Sequence, residues 1–313
     1  MKGIELSERF YREYGEPMLK EKFAHLLPKI AVGLAGSGSE CFGYDDELSS
    51  DHDFSAGFCI FLPAEDAVDR REAFALERAY SKLPREFMGY KRSALSPVGG
   101  NRHGVIRTAD FFTDRTGTPD GRLLAREWFA VPEASLAEAV NGKIFFDGLG
   151  EFAEIRDRLS CFPRDIMLKK LAGELLIMGQ SGQYNYGRCL KRGDTAAAQL
   201  AAVEFVKSAM HAAFLLNNKY MPYYKWAFRA FSELPTMSEL CSSLEYLISS
   251  GNGGSDAQIK QKTIEEICVS VSEKLRENGL SGYVGNEAEG HAYAVNDAIS
   301  DGEIRNLHIL CAV

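Results

Sequence analysis

The 313-residue chain has no excess of basic charge: 36 Lys+Arg stand against 44 Asp+Glu, a formal charge of −8. Duplex-binding proteins draw much of their affinity from phosphate neutralisation, so that class is disfavoured, and only a local basic pocket for one phosphorylated ligand remains open. There is no Cys-x-x-Cys pair. The seven cysteines (41, 59, 161, 189, 241, 268 and 311) are odd in number and scattered. That excludes a regular disulfide framework and any compact zinc spacing, and fits free thiols in a reducing compartment. No apolar run is long and uncharged enough to read as a membrane span. The most apolar stretch, 195–216, carries Glu204, Lys207 and His211 and reads as a buried bundle helix. The N-terminal segment shows neither an apolar h-region nor a small-residue cleavage site, so a cytoplasmic location is expected.

What is present is a core. Hydrophobic residues make up 45% of the chain, enough for one large domain or two ordinary ones without metal or disulfide support. Residues 6–30 read as short helices interrupted at Gly15 and Pro17. Ile30 to Ala35 reads as a buried strand, Phe54 to Pro63 as a second, and 64–83 as a helix. Weaker strand candidates lie near 90–97 and 104–109, and Pro132-Glu133 with Asn141-Gly142…Asp147 read as turns. From Pro163 the pattern is helical: 163–181, 195–218, 222–233, 236–249, 256–278 and 287–310 with breaks. The connector 249–258 offers Ser255 or Asp256 as a helix cap. The expected fold class is α+β, a mixed α/β first half followed by an all-helical second half.

The chemistry concentrates between the first two strands, in Gly36 to Phe54. This segment ends in Ser50-Asp51-His52-Asp53. Side chains two apart on a strand share a face, so Asp51 and Asp53 present two carboxylates together, a hard oxygen site suited to Mg²⁺. His52 points to the opposite face and reads as structural. Upstream, Gly38-Ser39-Glu40-Cys41-Phe42-Gly43 lets backbone approach a ligand closely, and the Ser39 hydroxyl with exposed N–H groups can hold phosphate oxygens. Other phosphate motifs fit poorly. The third position of G-x-G-x-x-G is Cys41, Gly43 is followed by Tyr44 rather than Lys, and a calcium loop from Asp51 would need Glu where Leu62 stands.

Gly38, Ser39, Gly43, Asp51 and Asp53, in that order between two strands, resemble the signature of the DNA polymerase beta-like nucleotidyltransferase superfamily. Within it, GSGSECFGYDDELSSDHDF, with YMPYYKW and the PE…NG…FFD stretch downstream, looks like an uncharacterised bacterial nucleotidyltransferase-like family with a helical C-terminal domain. The resemblance covers nearly the whole chain. It implies a nucleotidyltransferase domain with N-terminal helices over 1–155 and a helical domain over 156–313 that closes the nucleotide cleft. It also implies transfer of a nucleoside monophosphate from an NTP, expected to be ATP, to an acceptor hydroxyl. Asp51 and Asp53 would be catalytic and hold Mg²⁺ (or Mn²⁺), and Gly38, Ser39 and Ser50 would contact the nucleotide. Superfamily members usually carry a third carboxylate on a neighbouring strand. The candidate strand 103–109 has no acid in its middle, so Asp110 at its end is the nearest catalytic candidate, with Glu127 and Glu133 more remote. A cap on a helix starting near Phe111 is the better reading of Asp110.

The helical half adds an aromatic and basic concentration, Gln183–Arg192 and Tyr220–Trp226. Arg188 and Lys225 are candidates to neutralise a triphosphate, with tyrosines stacking on a base, and an ordinary surface role is an equal alternative. Lys191 and Arg192 read as a solvated face and His211 as a core histidine. The expected acceptor is a small hydroxylated molecule, antibiotic-like or an aminosugar. A protein side chain, as in antitoxins that modify a partner toxin, is the alternative acceptor. A non-catalytic nucleotide-binding regulator is the alternative from another class. Neither a nucleic-acid template nor a membrane is an expected partner.

Overall fold

The computed structural model describes residues 1–47, 55–92 and 103–313. Ser50, Asp51, His52 and Asp53 therefore lie outside the described residues. The chain divides into two compact units, Met1–Leu123 with Val131–Ser160 and Leu124–Ala130 with Cys161–Val313. Their composition bears out the α+β class: a small mixed sheet with helices, and a helical region.

In the first unit, α1 (Gly3–Phe10) runs through a π-helical turn, Tyr11–Gly15, into α2 (Glu16–Lys22). Gly15 does not interrupt the rod, because the ring of Phe58 packs where its side chain would be. Pro17 stands at the start of α2, directly after the π-helical turn. Then come β1 (Ala31–Leu34), the single turn α3 (Ser39–Phe42), β2 (Cys59–Leu62) and α4 (Arg70–Ser81), capped by Asp69 accepting from Glu72 N–H at 2.8 Å. A hairpin, β3 (Glu86–Phe87) and β4 (Tyr90–Lys91), precedes β5 (Gly104–Arg107) and α5 (Thr108–Thr116). The short α6 (Ala125–Ala130) belongs to the second unit, and α7 (Glu133–Val140), β6 (Lys143–Asp147) and α8 (Glu151–Arg158) complete the first. Of the positions read as turns, Pro132, Asn141 and Gly142 do lie between elements, whereas Glu133 opens α7 and Asp147 ends β6. The run Lys143-Ile144-Phe145-Phe146-Asp147 is short and bounded by Asn-Gly and Gly-Leu-Gly, which hides it among turn signals.

The sheet order is β5-β2-β1-β6, with β1 antiparallel to both neighbours and β5 parallel to β2. β1 and β2 are buried at every position, which is why they read as continuous apolar runs rather than alternating ones. On one face Val32 pairs with Ile60 and joins a core with Leu6, Phe10, Phe58 and Leu76. On the other, Phe61 lies 5.2 Å from Phe111 and 4.3 Å from Phe152, ring centre to ring centre.

In the second unit, α9 (Arg164–Met178) passes into a π-helical stretch, Gly179–Tyr186, and α10 (Gly187–Lys191). The 22-residue α11 (Thr195–Leu216), capped by Asp194, packs on α9 and on the π-helical stretch, where Gly182 makes room for Phe205. α12 (Tyr224–Ser232), α13 (Cys241–Ser249), α14 (Gly254–Glu277), α15 (Ala288–Asp297) and α16 (Gly302–Arg305) follow. α14 starts at Gly254 with no side-chain cap, ahead of the expected Ser255 or Asp256. Gly279, φ +65°, ends it in the left-handed conformation. All seven cysteines are free, and no helix among the described residues is long and apolar enough to cross a membrane.

Candidate functional site

Strand pairing in the first unit gathers several chain ends at one end of the sheet. β1 leaves at Leu34, and β2 enters at Cys59, paired with Gly33. β5 enters at Gly104, paired with Cys59, and β6 at Lys143, paired with Leu34. The Gly-Ser loop after β1, His103 and Asn141-Gly142 therefore meet at that end.

The loop is held from both sides. Gly36 donates its N–H to Asn141 Oδ1 and accepts from Asn141 Nδ2 at its carbonyl, both at 2.8 Å. Gly142 N–H donates to Cys41 C=O at 2.9 Å. Gly36 has φ +111°, and Arg115 Nη2 lies 2.5 Å from where a Cβ would stand, so only glycine fits there. Arg115 itself is only 18% exposed. Its guanidinium carbon sits 3.9 Å from the Phe111 ring centre, and Nη1 donates to Phe111 C=O at 2.9 Å. Its Nε makes no hydrogen bond among the described residues and lies 4.0 Å from Glu138 Oε2. Burial lowers the Arg115 pKa from its ordinary value, against the pull of Glu138 and Asp114.

Gly38, φ +122°, precedes Ser39 at the start of α3, and the buried Glu40 carboxylate folds back beside it. Tyr44 N–H closes the turn on Ser39 C=O at 2.8 Å. α1 braces the segment further along. Gly3 N–H donates to Asp45 Oδ2 at 2.8 Å, Lys2 Nζ donates to the Gly43 and Asp45 carbonyls at 3.0 and 2.8 Å, and Ser7 Oγ donates to Gly57 C=O at 2.6 Å. A cleft of about 660 Å³ opens in this unit, with Ser37, Asp110, Asp114, Arg115 and Ser135 in its wall and the exposed Phe74 on the α4 side.

Gly38 and Ser39 stand at the turn where strand pairing leads the chain, whereas Asp51, Asp53 and Ser50 are outside the described residues. Asp110 is not a helix cap. α5 begins at Thr108 after Arg107, and Asp110 is an exposed first-turn residue that makes no ion pair among the described residues and lines the cleft. β5 carries no acid, and its Arg107 is occupied by the Pro63 and Val68 carbonyls at 2.6 and 2.8 Å. Glu127 accepts from Leu124 N–H at 2.7 Å at the start of α6, in the other unit, and Glu133 lies in the first turn of α7.

Arg188 and Lys225 belong to the second unit. Arg188 stacks on Tyr184 at 4.7 Å and hydrogen-bonds its hydroxyl, and Lys225 Nζ is 4.8 Å from the Trp226 ring centre. Tyr223 and Tyr224, 53% and 75% exposed, lie 4.2 Å apart. Lys191 and Arg192 are exposed, as a solvated face requires. Among the described residues no group of three or more His, Cys, Asp or Glu is gathered to hold a metal ion. Sequence reading missed Asn141, Gly142 and Arg115. An Asn-Gly pair heading an apolar run could have marked the first two, whereas nothing local distinguishes Arg115.

The fold defines an α+β protein with a small mixed sheet. A family model described as a domain of unknown function, DUF4037, matches residues 128–227, from within α6 to the first turns of α12. That span includes Asn141, Gly142, Arg188 and Lys225 and leaves out the Gly-Ser loop. No curated protein matches the chain.

Proposed function

We propose that the protein is a cytoplasmic, metal-dependent nucleotidyltransferase that moves a nucleoside monophosphate from an NTP, with ATP the expected donor, to a hydroxyl of a small molecule. One observation carries this reading. Gly38-Ser39 and Asp51-x-Asp53 occur in that order in the connection between two adjacent antiparallel strands, so both ends of the segment emerge at the same end of the sheet. Backbone N–H groups beside Gly38 and the Ser39 hydroxyl would hold the outer phosphates, with Ser50 beside the carboxylates. Asp51 and Asp53 are hard oxygen donors of the kind Mg²⁺ or Mn²⁺ takes. Bound there, the cation supplies neutralisation of the triphosphate charge and alignment of the reacting oxygens.

In the transfer, the acceptor oxygen bonds to the α-phosphorus, the bond from that phosphorus to the β-phosphate oxygen breaks, and pyrophosphate leaves. The hydroxyl proton passes to a carboxylate, and Asp110 in the cleft wall is the candidate. Arg115, which sits against the Gly-Ser loop, is a cation for phosphate charge. The open carboxylates of Asp110, Asp114 and Glu77 in the cleft suit a cationic acceptor such as an aminosugar.

A second reading, a nucleotide-binding regulator without transfer, is favoured by the absence of any acid in β5. Incubation with each α-labelled NTP, Mg²⁺ or Mn²⁺ and a metabolite-and-protein extract separates the two. Label on a small molecule with the native protein, but not with Asp51→Ala/Asp53→Ala, supports the transferase, and label on a protein moves the acceptor to the antitoxin type. No label, with nucleotide still raising the melting temperature, supports the regulator. Absence of both effects would remove the nucleotide site altogether.

A further inference from the structure

We infer that Asn141 is a positioning residue for the nucleotide loop: its amide holds Gly36 in the one backbone conformation that lets Gly38 and Ser39 face a phosphate. The inference rests on the nucleotide reading above and adds to it a residue 105 positions further along the chain.

Asn141 mimics a strand partner. Its Oδ1 takes the Gly36 N–H and its Nδ2 gives to the Gly36 carbonyl, both at 2.8 Å, so both backbone polar groups of one loop residue, on the two peptide units that flank its Cα, pair with one side chain 105 residues away. The neighbouring residue continues the clamp. Gly142, φ +71°, donates to the Cys41 carbonyl at 2.9 Å, and its missing side chain leaves room for the Leu34 carbonyl. Arg115 closes the opposite side of Gly36.

The clamp stands on rigid elements. β6, pairing with β1, carries Asn141-Gly142 at its head, and α7 leads into them. β1 ends at Leu34, two residues before Gly36. Gly36 therefore cannot rotate about its φ without breaking at least one of these two hydrogen bonds. Unclamped, a glycine samples positive and negative φ about equally, and the Gly38-Ser39 turn would be presented in several orientations. Fixing such a loop before the ligand arrives removes an ordering cost from binding. Asn141 touches neither phosphate nor acceptor, and its effect passes through Gly36.

The test uses the whole chain and MgATP, with affinity read by calorimetry at 15 °C and folding by the melting temperature without nucleotide. Asn141→Ala should weaken MgATP binding tenfold or more, with the protein still folded at the assay temperature. Asn141→Asp adds a readout that a merely structural role would not move. As a carboxylate it can accept from Gly36 N–H but not donate to Gly36 C=O, whereas in the acid form it restores both bonds. Its affinity, taken as a ratio to native at each pH, should therefore recover as pH falls through the ordinary aspartate range, from about 6 towards 4, while the alanine ratio stays flat. Should Asn141→Ala fail to fold, the pH course of Asn141→Asp decides. Native protein that binds MgATP, with Asn141→Ala within twofold of it or an Asn141→Asp ratio independent of pH, overturns the positioning role alone. Native protein that binds no nucleotide under these conditions overturns the nucleotide reading, and this inference with it.

Discussion

Lys260 has no exposed surface, yet its ammonium is fully supplied. Nζ donates to Gln199 Oε1 at 3.0 Å, Ser250 C=O at 2.8 Å and Asn252 Oδ1 at 3.1 Å. Burial lowers its pKa from the ordinary value, and the three acceptors hold the connector before α14 against α11. Lys260→Met keeps the apolar stem but takes the donor from Ser250 C=O, while Gln199 Oε1 and Asn252 Oδ1 keep only Asn252 Nδ2 and Tyr186 Oη, so the chain should lose about 2 kcal/mol, seen as a lower urea midpoint. His211 offers a prediction in pH. Burial, with the Lys170 and Lys207 ammonium groups, pushes it down to about 4, and Glu174 Oε1 lies 3.4 Å from its Nδ1. An unfolded histidine titrates near 6.5, so protonation favours the unfolded chain. Stability present above pH ~6.5 is lost as pH falls towards ~4, by about 3 kcal/mol in all. His211→Gln should flatten that stretch of a plot of melting temperature against pH. An unchanged slope would assign the acid sensitivity elsewhere. The partners of Lys260 are not visible in sequence, because they come together from distant positions, whereas His211 reads as a core histidine from its place in α11.

At the scale of elements, hydrophobic pattern carried most of the information. β1 and β2 are short apolar runs between turn signals, and α11 is long and unbroken by Gly or Pro, so all three were legible. β6 was not, although it pairs with β1 at the head of the sheet. Its five residues alternate only loosely in burial, and the flanking glycines belong as naturally to a turn. The same blindness hid half of the site. The Gly-Ser loop stands out in the sequence by its glycines, while the Asn141-Gly142 clamp exists only once β6 is placed beside β1. Gly142→Ala tests that placement without any ligand. A side chain at φ +71°, driven onto the Leu34 carbonyl, should cost about 1–3 kcal/mol and lower the melting temperature of the first unit. An unchanged transition would mean that β6 is not seated as described.

At the scale of the molecule, the units are not consecutive pieces of chain. α6 leaves the sequence of the first to pack in the second, where Trp128 meets the Phe162 ring at 5.7 Å and Phe162 meets Tyr220 at 4.8 Å. Trp128→Ala should therefore destabilise the helical unit, by about 3 kcal/mol or more, although residue 128 is flanked by sheet-unit sequence. Hydrogen exchange in α9 and α11 would rise while β1 and β2 stayed protected. The excursion also bears on inheritance. The backbone passes between the units at 123/124, 130/131 and 160/161, so a single recombination event cannot hand either unit intact to another gene. A crossover at the last of these points would deliver a bundle lacking α6 with its Trp128 and a sheet trailing an orphaned helix. Such a pair of units is transmitted whole or not at all.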